Sequence, residues 1–173
     1  MKQLWIDTET GGLNPQKHAL LQIAAIIVIE GEVMQVHGIE DPFAEDRHAP
    51  HEAYRILVDN LGRYVDKFKP ADKFQFFGFN ARFDADFTRQ FFVKNGDKYF
   101  GSWCYFPPID IMQWAALMWM NERDTMKKFT LQACCQKAGI EWNEEEAHDA
   151  LYDIKKTREL ATFIDNHHAL GVF

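Results

Sequence analysis

The first forty residues carry their apolar positions in short β-branched blocks rather than at helical spacing. Leu4-Trp5-Ile6 opens a run that stops at Glu9-Thr10-Gly11-Gly12, predicting a strand over residues 4–8 and a sharp turn at the paired glycines. The apolar block from Ile23 to Ile29 lies in a second predicted strand over 20–30, Gly31 marks a turn, and a third strand follows over 33–39. Three consecutive strands with short connections predict an antiparallel meander. Residues 41–51, with Pro42 and Pro50, read as a loop.

Beyond that loop the period changes. Tyr54, Leu57, Val58, Leu61, Tyr64, Val65 and Phe68 recur at three and four, a helical stripe over 52–68 closed by Pro70. An aromatic strand over 74–79 leads through Asn80, a residue suited to helix capping, into a helix over 81–94. Its Phe83, Phe87 and Phe91 lie one turn apart, and Gly96 ends it. A short strand over 99–106 is broken by Pro107-Pro108, and a nearly all-apolar helix covers 109–120. Two further helices cover 130–138 and about 147–167. A meander followed by alternating strands and helices predicts an α/β domain built on one mixed sheet.

At 173 residues the chain can bury about 70% of its unfolded surface, so residues 1–173 are expected to form one domain. Hydrophobic residues at 47% and charged residues at 26% exclude a disordered or fibrous protein. The net charge of −7 excludes a basic chain that coats nucleic acid indiscriminately. Cys134 and Cys135 are adjacent, which makes a poor disulfide. With Cys104 as the only other cysteine, neither a stapled secreted scaffold nor a cysteine zinc site is supported. A reducing cytoplasm is the expected location. An acid at position 7 interrupts any leader-like segment, and no apolar span approaches about 18 residues, so no membrane partner is expected.

Candidate chemistry begins with Asp7 and Glu9. Two residues apart on a strand, their side chains share a face and can reach one cation; no basic residue lies between Lys2 and Lys17 to neutralise them. Asp84 stands in the first turn of the helix that follows the aromatic strand. His148 and Asp153 are about 140° apart on a helical wheel, so they meet only if His148 lies in the loop or cap before the last helix. Small Ala150 between them allows the approach. Glu144-Glu145-Glu146 are the acids expected to surround His148.

In chain order, Asp7-x-Glu9, Asn80-Ala81-x-Phe83-Asp84 and His148-x-Ala150-x-x-Asp153 resemble the three motifs of the DEDDh branch of DnaQ-like 3′→5′ exonucleases. The likeness runs from Leu4 to about Phe163 and includes Phe129 to Cys135, similar to the helix before the last motif. The sibling branch carries tyrosine four residues before the final acid, where this chain has Asp149.

The resemblance implies an RNase H-like fold, a five-stranded mixed sheet flanked by helices. It further implies a metal-dependent 3′→5′ exonuclease of proofreading or repair type, releasing 5′-mononucleotides from single-stranded DNA by two-metal-ion hydrolysis. Asp7, Glu9 and Asp153 would hold one divalent ion and Asp7 with Asp84 a second; all-oxygen ligands suit Mg²⁺ or Mn²⁺. His148 would be the general base. Thr10, Gly11, Leu13, Asn80 and Phe83 would touch the substrate, Leu13 as a wedge beside the terminal base.

Two other functions fit the same motifs: an RNA-trimming exoribonuclease of the RNase T or oligoribonuclease type, and an inactive nucleic-acid-binding module. The chain departs from the family at Phe79, where histidine is frequent, and at Thr10-Gly11-Gly12, where Thr-Thr-Gly is common. Expected partners are single-stranded DNA or RNA 3′ ends, with a DNA polymerase as a further candidate. About twenty residues follow Asp153, too few for a polymerase-binding domain. Two dications would bring −7 to −3, which fits an enzyme gripping only a few terminal nucleotides. Arg82, Arg89, Lys94 and Lys98 are the candidate phosphate contacts. Eleven of the fifteen phenylalanines lie from Phe68 to Phe106 and are read mainly as core.

Overall fold

The computed structural model describes residues 1–39 and 49–168. Strands β1 (Lys2–Thr10), β2 (Leu20–Ile29) and β3 (Glu32–Ile39) form the expected antiparallel meander. Helix α1 (Pro50–Gly62) leads to β4 (Phe74–Gly78), α2 (Ala81–Lys94) and β5 (Cys104–Asp110). Helices α3 (Ile111–Met118), α4 (Leu131–Lys137) and α5 (Ala150–His168) follow. The sheet order is β3-β2-β1-β4-β5, with β1–β4 and β4–β5 parallel, so the five strands form one mixed sheet with β1 at its centre.

Strand alternation divides the core into two layers. Leu4 and Ile6 point toward α1 and α2, packing with Leu57, Leu61, Ala85 and Phe92. Trp5 points the other way, toward α3, α4 and α5, among Ile26, Ile111, Cys134 and Ile154. Helices on both faces explain why β2 is buried without interruption from Gln22 to Val28. Gly78 serves a close approach: a Cβ there would meet the Ile6 carbonyl oxygen at 3.1 Å and Ala81 Cα at 3.3 Å, so the β1–β4 junction needs glycine.

Several boundaries differ from the sequence expectation, each for an identifiable reason. The helix predicted over 52–68 stops at Gly62; Val65 is still buried, but in a turn whose N–H reaches Leu61. Pro107 and Pro108 do not break β5. They lie within it because β5 is an edge strand, where a missing N–H costs no ladder bond, and a register shift between Gln75 and Phe77 accommodates them. The following helix therefore begins at Ile111, capped by Asp110, whose Oδ1 accepts from the Met112 N–H at 3.0 Å. Asn80 is not a side-chain cap. It sits at φ 62° with no cap bond, and its backbone N–H donates to Asp110 Oδ1 at 2.9 Å.

The last helix begins at Ala150 rather than 147. Of the loop predicted over 41–51, residues 41–48 lie outside the described residues, while Pro50 and His51 belong to α1. Phe87 and Phe91 are buried and Phe83 half-buried, so that stripe is core as expected. All three cysteines are free and buried. Among the described residues, no helix is long and apolar enough to cross a membrane.

Trp5 and Phe77 stack on neighbouring strands with ring centroids 4.5 Å apart and planes at 18°, both rings buried. Phe77→Ala is expected to cost about 3–5 kcal/mol in urea unfolding. Phe68→Ala, at a side chain 84% exposed, should change stability by no more than about 0.5 kcal/mol. Comparable losses at the two positions would contradict the core as described.

Candidate active site

β1 ends at the junction of the two core layers, so helices from both faces of the sheet can bring side chains to it. Asp7 and Glu9 lie on β1. From one face α2 presents Asp84, buried, whose Oδ1 accepts a hydrogen bond from the Thr8 hydroxyl at 2.7 Å. From the other face come Asp153, in the first turn of α5, and His148, in the turn before it. Ligand atoms of Glu9, His148 and Asp153 all lie within 4.8 Å of one another. Sequence spacing allowed His148 to meet Asp153 only from outside the helix, and it sits there at φ 69°, a left-handed conformation that costs a non-glycine residue roughly 1–2 kcal/mol.

That turn is held by groups that motif reading passed over. Buried Gln22, paired with Glu9 across β1–β2, donates from Nε2 to Asp149 Oδ2 at 2.9 Å and accepts from the Ala150 N–H at 3.1 Å. Asp149 also caps α5, its Oδ1 accepting from the Tyr152 N–H at 2.9 Å. The Asn143 N–H donates to the Tyr152 hydroxyl at 2.6 Å, tying the start of the turn to α5. Two signals pointed here: a glutamine inside the apolar run of β2 must find partners when buried, and Asp149 immediately precedes the helix.

Electrostatically the site is under load. Burial raises the Asp7 carboxyl well above the usual range, and Asp84, Asp153, Glu9 and Asp149 push it further in that order. Glu9 is raised by burial and by Asp153, against the pull of His148. Burial lifts Asp84 to about 7 despite the hydrogen bonds from Thr8 that favour its anion. Asp153 is lifted to about 6, chiefly by burial, with His148 opposing. Asp153 Oδ1 is buried and has no hydrogen-bond partner among the described residues. An orphaned carboxylate oxygen beside two more potential ligands fits a divalent cation, which would replace repulsion with attraction.

The other expected residues divide. Thr10 donates its hydroxyl to the Gly12 carbonyl at 2.9 Å, and the Gly11 N–H bonds the Ala19 carbonyl at 3.0 Å, so both shape the loop after β1. The space a Cβ would need at Gly12 is filled by the His18 ring at 2.6 Å, so the turn needs glycine there. Leu13 is 85% exposed, an apolar side chain projecting beyond that loop. Asn80 is exposed, and Phe83 is tilted against Phe87 at 4.8 Å. Lys94 bonds the Pro15 and His18 carbonyls at 3.3 and 3.2 Å and so staples the loop. Glu144 and Glu146 are held by Gln132 and Asn143, and the acids grouped with His148 are Glu9 and Asp153 instead.

The sequence profile of the Exonuclease family matches residues 4–161. Ribonuclease T of Vibrio cholerae serotype O1 is 28% identical over 193 residues, covering 96% of this chain and 83% of the relative. Ribonuclease T of Shewanella frigidimarina is 30% identical over 192 residues, with coverage of 96% and 83%. Among solved structures, the zinc-bound E. coli exonuclease I complex with single-stranded DNA superposes with a TM-score of 0.71 at 20% identity, over 98% of this chain and 41% of that one. E. coli exonuclease I with a dA16 oligonucleotide gives 0.69 at 20% identity, over 95% and 41%. This chain therefore spans about two fifths of exonuclease I, and the likeness gives the fold, which is RNase H-like.

The raised carboxyl groups set a pH dependence. Where folding raises an acid's pKa, the folded protein holds protons that the unfolded chain has released, so stability falls as pH rises from the unfolded value toward the folded one. With unfolded carboxylates near 4, Asp153 at about 6 and Asp84 at about 7, the metal-free melting temperature should drop between about pH 5 and about pH 8. Mn²⁺ or Mg²⁺ should restore most of it at the upper end, and Asp7→Asn should flatten the metal-free slope. A melting temperature indifferent to both pH and metal would contradict the acidic cluster.

Proposed function

The chain belongs to the Exonuclease family, in its DnaQ-like DEDDh group of 3′→5′ exonucleases, and on that premise we propose that it trims single-stranded DNA from the 3′ end, releasing 5′-mononucleotides. The observation that carries the proposal is the meeting of Glu9, His148 and Asp153 at the end of β1, beside Asp7. A histidine grouped with half-buried carboxylates is the equipment for hydrolysing a phosphodiester with water as nucleophile.

Asp7, Glu9 and Asp153 would hold one divalent cation, and Asp7 with Asp84 a second. When bound, such cations neutralise the phosphate and acidify a bound water. The Thr8 hydroxyl occupies one oxygen of Asp84 and fixes its carboxylate toward β1. His148 is exposed and so open to the incoming strand. As the water oxygen attacks the phosphorus joining the last two nucleotides, its proton would pass to the His148 imidazole; the bond to the 3′-oxygen of the penultimate nucleotide breaks, and that oxygen takes a proton from solvent to become the new 3′-hydroxyl. Gln22 and Asp149 hold the turn that carries His148. Leu13, 85% exposed on the loop after β1, would be the apolar side chain that separates the terminal base from its neighbour.

RNA 3′-end trimming is the second reading, favoured by the relatives named Ribonuclease T along nearly the whole chain. Matched DNA and RNA strands of one sequence decide between them, because the site either accepts or requires the 2′-hydroxyl.

A 5′-labelled single strand should give a descending ladder with Mg²⁺ and none with EDTA, and Asp7→Ala should abolish it. His148→Ala should lower kcat by roughly 10²–10⁴ while binding persists, and Gln22→Leu should lower kcat less, in the same direction. Release of labelled mononucleotide at the first time point, cutting of circular strands or activity in EDTA would sink the proposal.

A further inference from the structure

Outside the acidic site, the least explained surface is the exposed flank between α2 and the β5 edge. Tyr105 is 42% and Phe106 67% exposed, although both lie on a strand. Each has a cation over its ring: Lys73 Nζ stands 6.0 Å from the Tyr105 centroid, and Arg82 Cζ 5.7 Å from that of Phe106. Arg89 reaches over Phe100 at 5.9 Å, and Lys73, Arg89, Tyr105, Phe106 and Pro108 line a cleft of about 160 Å³. Arg82 and Arg89 share one carboxylate, Asp86, at 2.9 and 3.2 Å, so the flank keeps a local positive excess on a chain of net charge −7.

Resting on the reading of this protein as a single-strand exonuclease, we propose that this flank is a track for the nucleotides upstream of the cleaved end. Exposed aromatic rings beside cations suit a single strand of any sequence, because every base offers a π-face and every linkage a phosphate. The track also begins in the right place. Arg82 precedes Asp84 by two residues in the first turn of α2, and Asp110 at the end of β5 holds the Asn80 N–H that opens the same helix. Tyr105 and Phe106 lie four to five residues back along β5, roughly 13–17 Å from Asp110, leading away from the acids. A strand-adding protein partner fits poorly, since Pro107 and Pro108 offer no N–H to the edge.

The test compares wild type with Tyr105→Ala/Phe106→Ala and with Arg82→Gln/Arg89→Gln. All four positions are at least partly exposed, so the two variants probe stacking and charge separately. Fluorescence anisotropy with Ca²⁺ in place of Mg²⁺ measures binding of oligothymidylates of about 3 and about 12 nucleotides. The expected result is that each variant lowers the preference for the longer strand about tenfold, and that the arginine variant also shows a shallower salt dependence. An unchanged preference in both variants, or a wild type that holds both lengths equally, overturns the track. So does light scattering showing that the variants dissociate a dimer, which would make the flank a subunit interface. Hydrolysis of the same oligonucleotides by wild type with Mg²⁺ is scored separately: binding without cutting would remove the exonuclease reading and leave the track standing, whereas cutting with undiminished variant binding removes the track alone.

Discussion

Four carboxylates brought together at the half-buried end of one strand are the constraint on which this fold turns. Asp7 is raised by burial and then by each of its acidic neighbours, an arrangement that opposes folding whenever no cation is present. The rest of the structure supplies what holds it. The two core layers grip β1 from both faces, so neither Asp84 on α2 nor Asp153 on α5 can withdraw without disrupting packing. Hydrogen bonds then fix the approach: Thr8 to Asp84 on one side, Gln22 to the start of α5 on the other, and Asp110 to the start of α2. Local strain at His148 belongs to the same account, a backbone cost tolerated because the surrounding bonds over-determine the turn.

Much of this was legible because the signals are local. The unbroken apolar block Leu4-Trp5-Ile6 marked a strand, which packs on both faces, and the helix over 81–94 was bounded correctly by its apolar spacing together with Asn80 and Gly96. The wheel angle between His148 and Asp153 allows the two to meet only with the histidine outside the helix, where it lies, although the apolar pattern alone extended that helix back to about residue 147. What escaped depends on tertiary context. Pro107 and Pro108 terminate a central strand but not an edge strand, and β5's position in the sheet is not written in its own residues. Asn80 has a good capping side chain, yet Asp110, thirty residues later, takes its backbone instead. Lys94 looked like a phosphate ligand, but two backbone carbonyls of the loop after β1 claim it.

The charge distribution also becomes intelligible at the level of the folded chain. The acids that dominate the net charge are gathered partly in one cleft, where a cation can offset them, while arginines and lysines collect beside aromatics on the flank of α2. A net charge of −7 is therefore no bar to the proposed polyanionic substrate, because what a polyanion would meet is set locally and screened over about 8 Å at physiological salt. Family membership and fold are shared with proteins named Ribonuclease T and exonuclease I, so neither fixes the substrate.

The account stands or falls on the acids being a cation site, and anomalous diffraction from crystals soaked in Mn²⁺ addresses that directly. The predicted result is a strong anomalous peak about 2.0–2.3 Å from carboxylate oxygens of Asp7, Glu9 and Asp153, with Asp153 Oδ1 among the ligands, and loss of that peak in Asp7→Asn. Strong peaks confined to exposed acids such as Glu144–Glu146, with Asp7, Glu9 and Asp153 left bare, would contradict it.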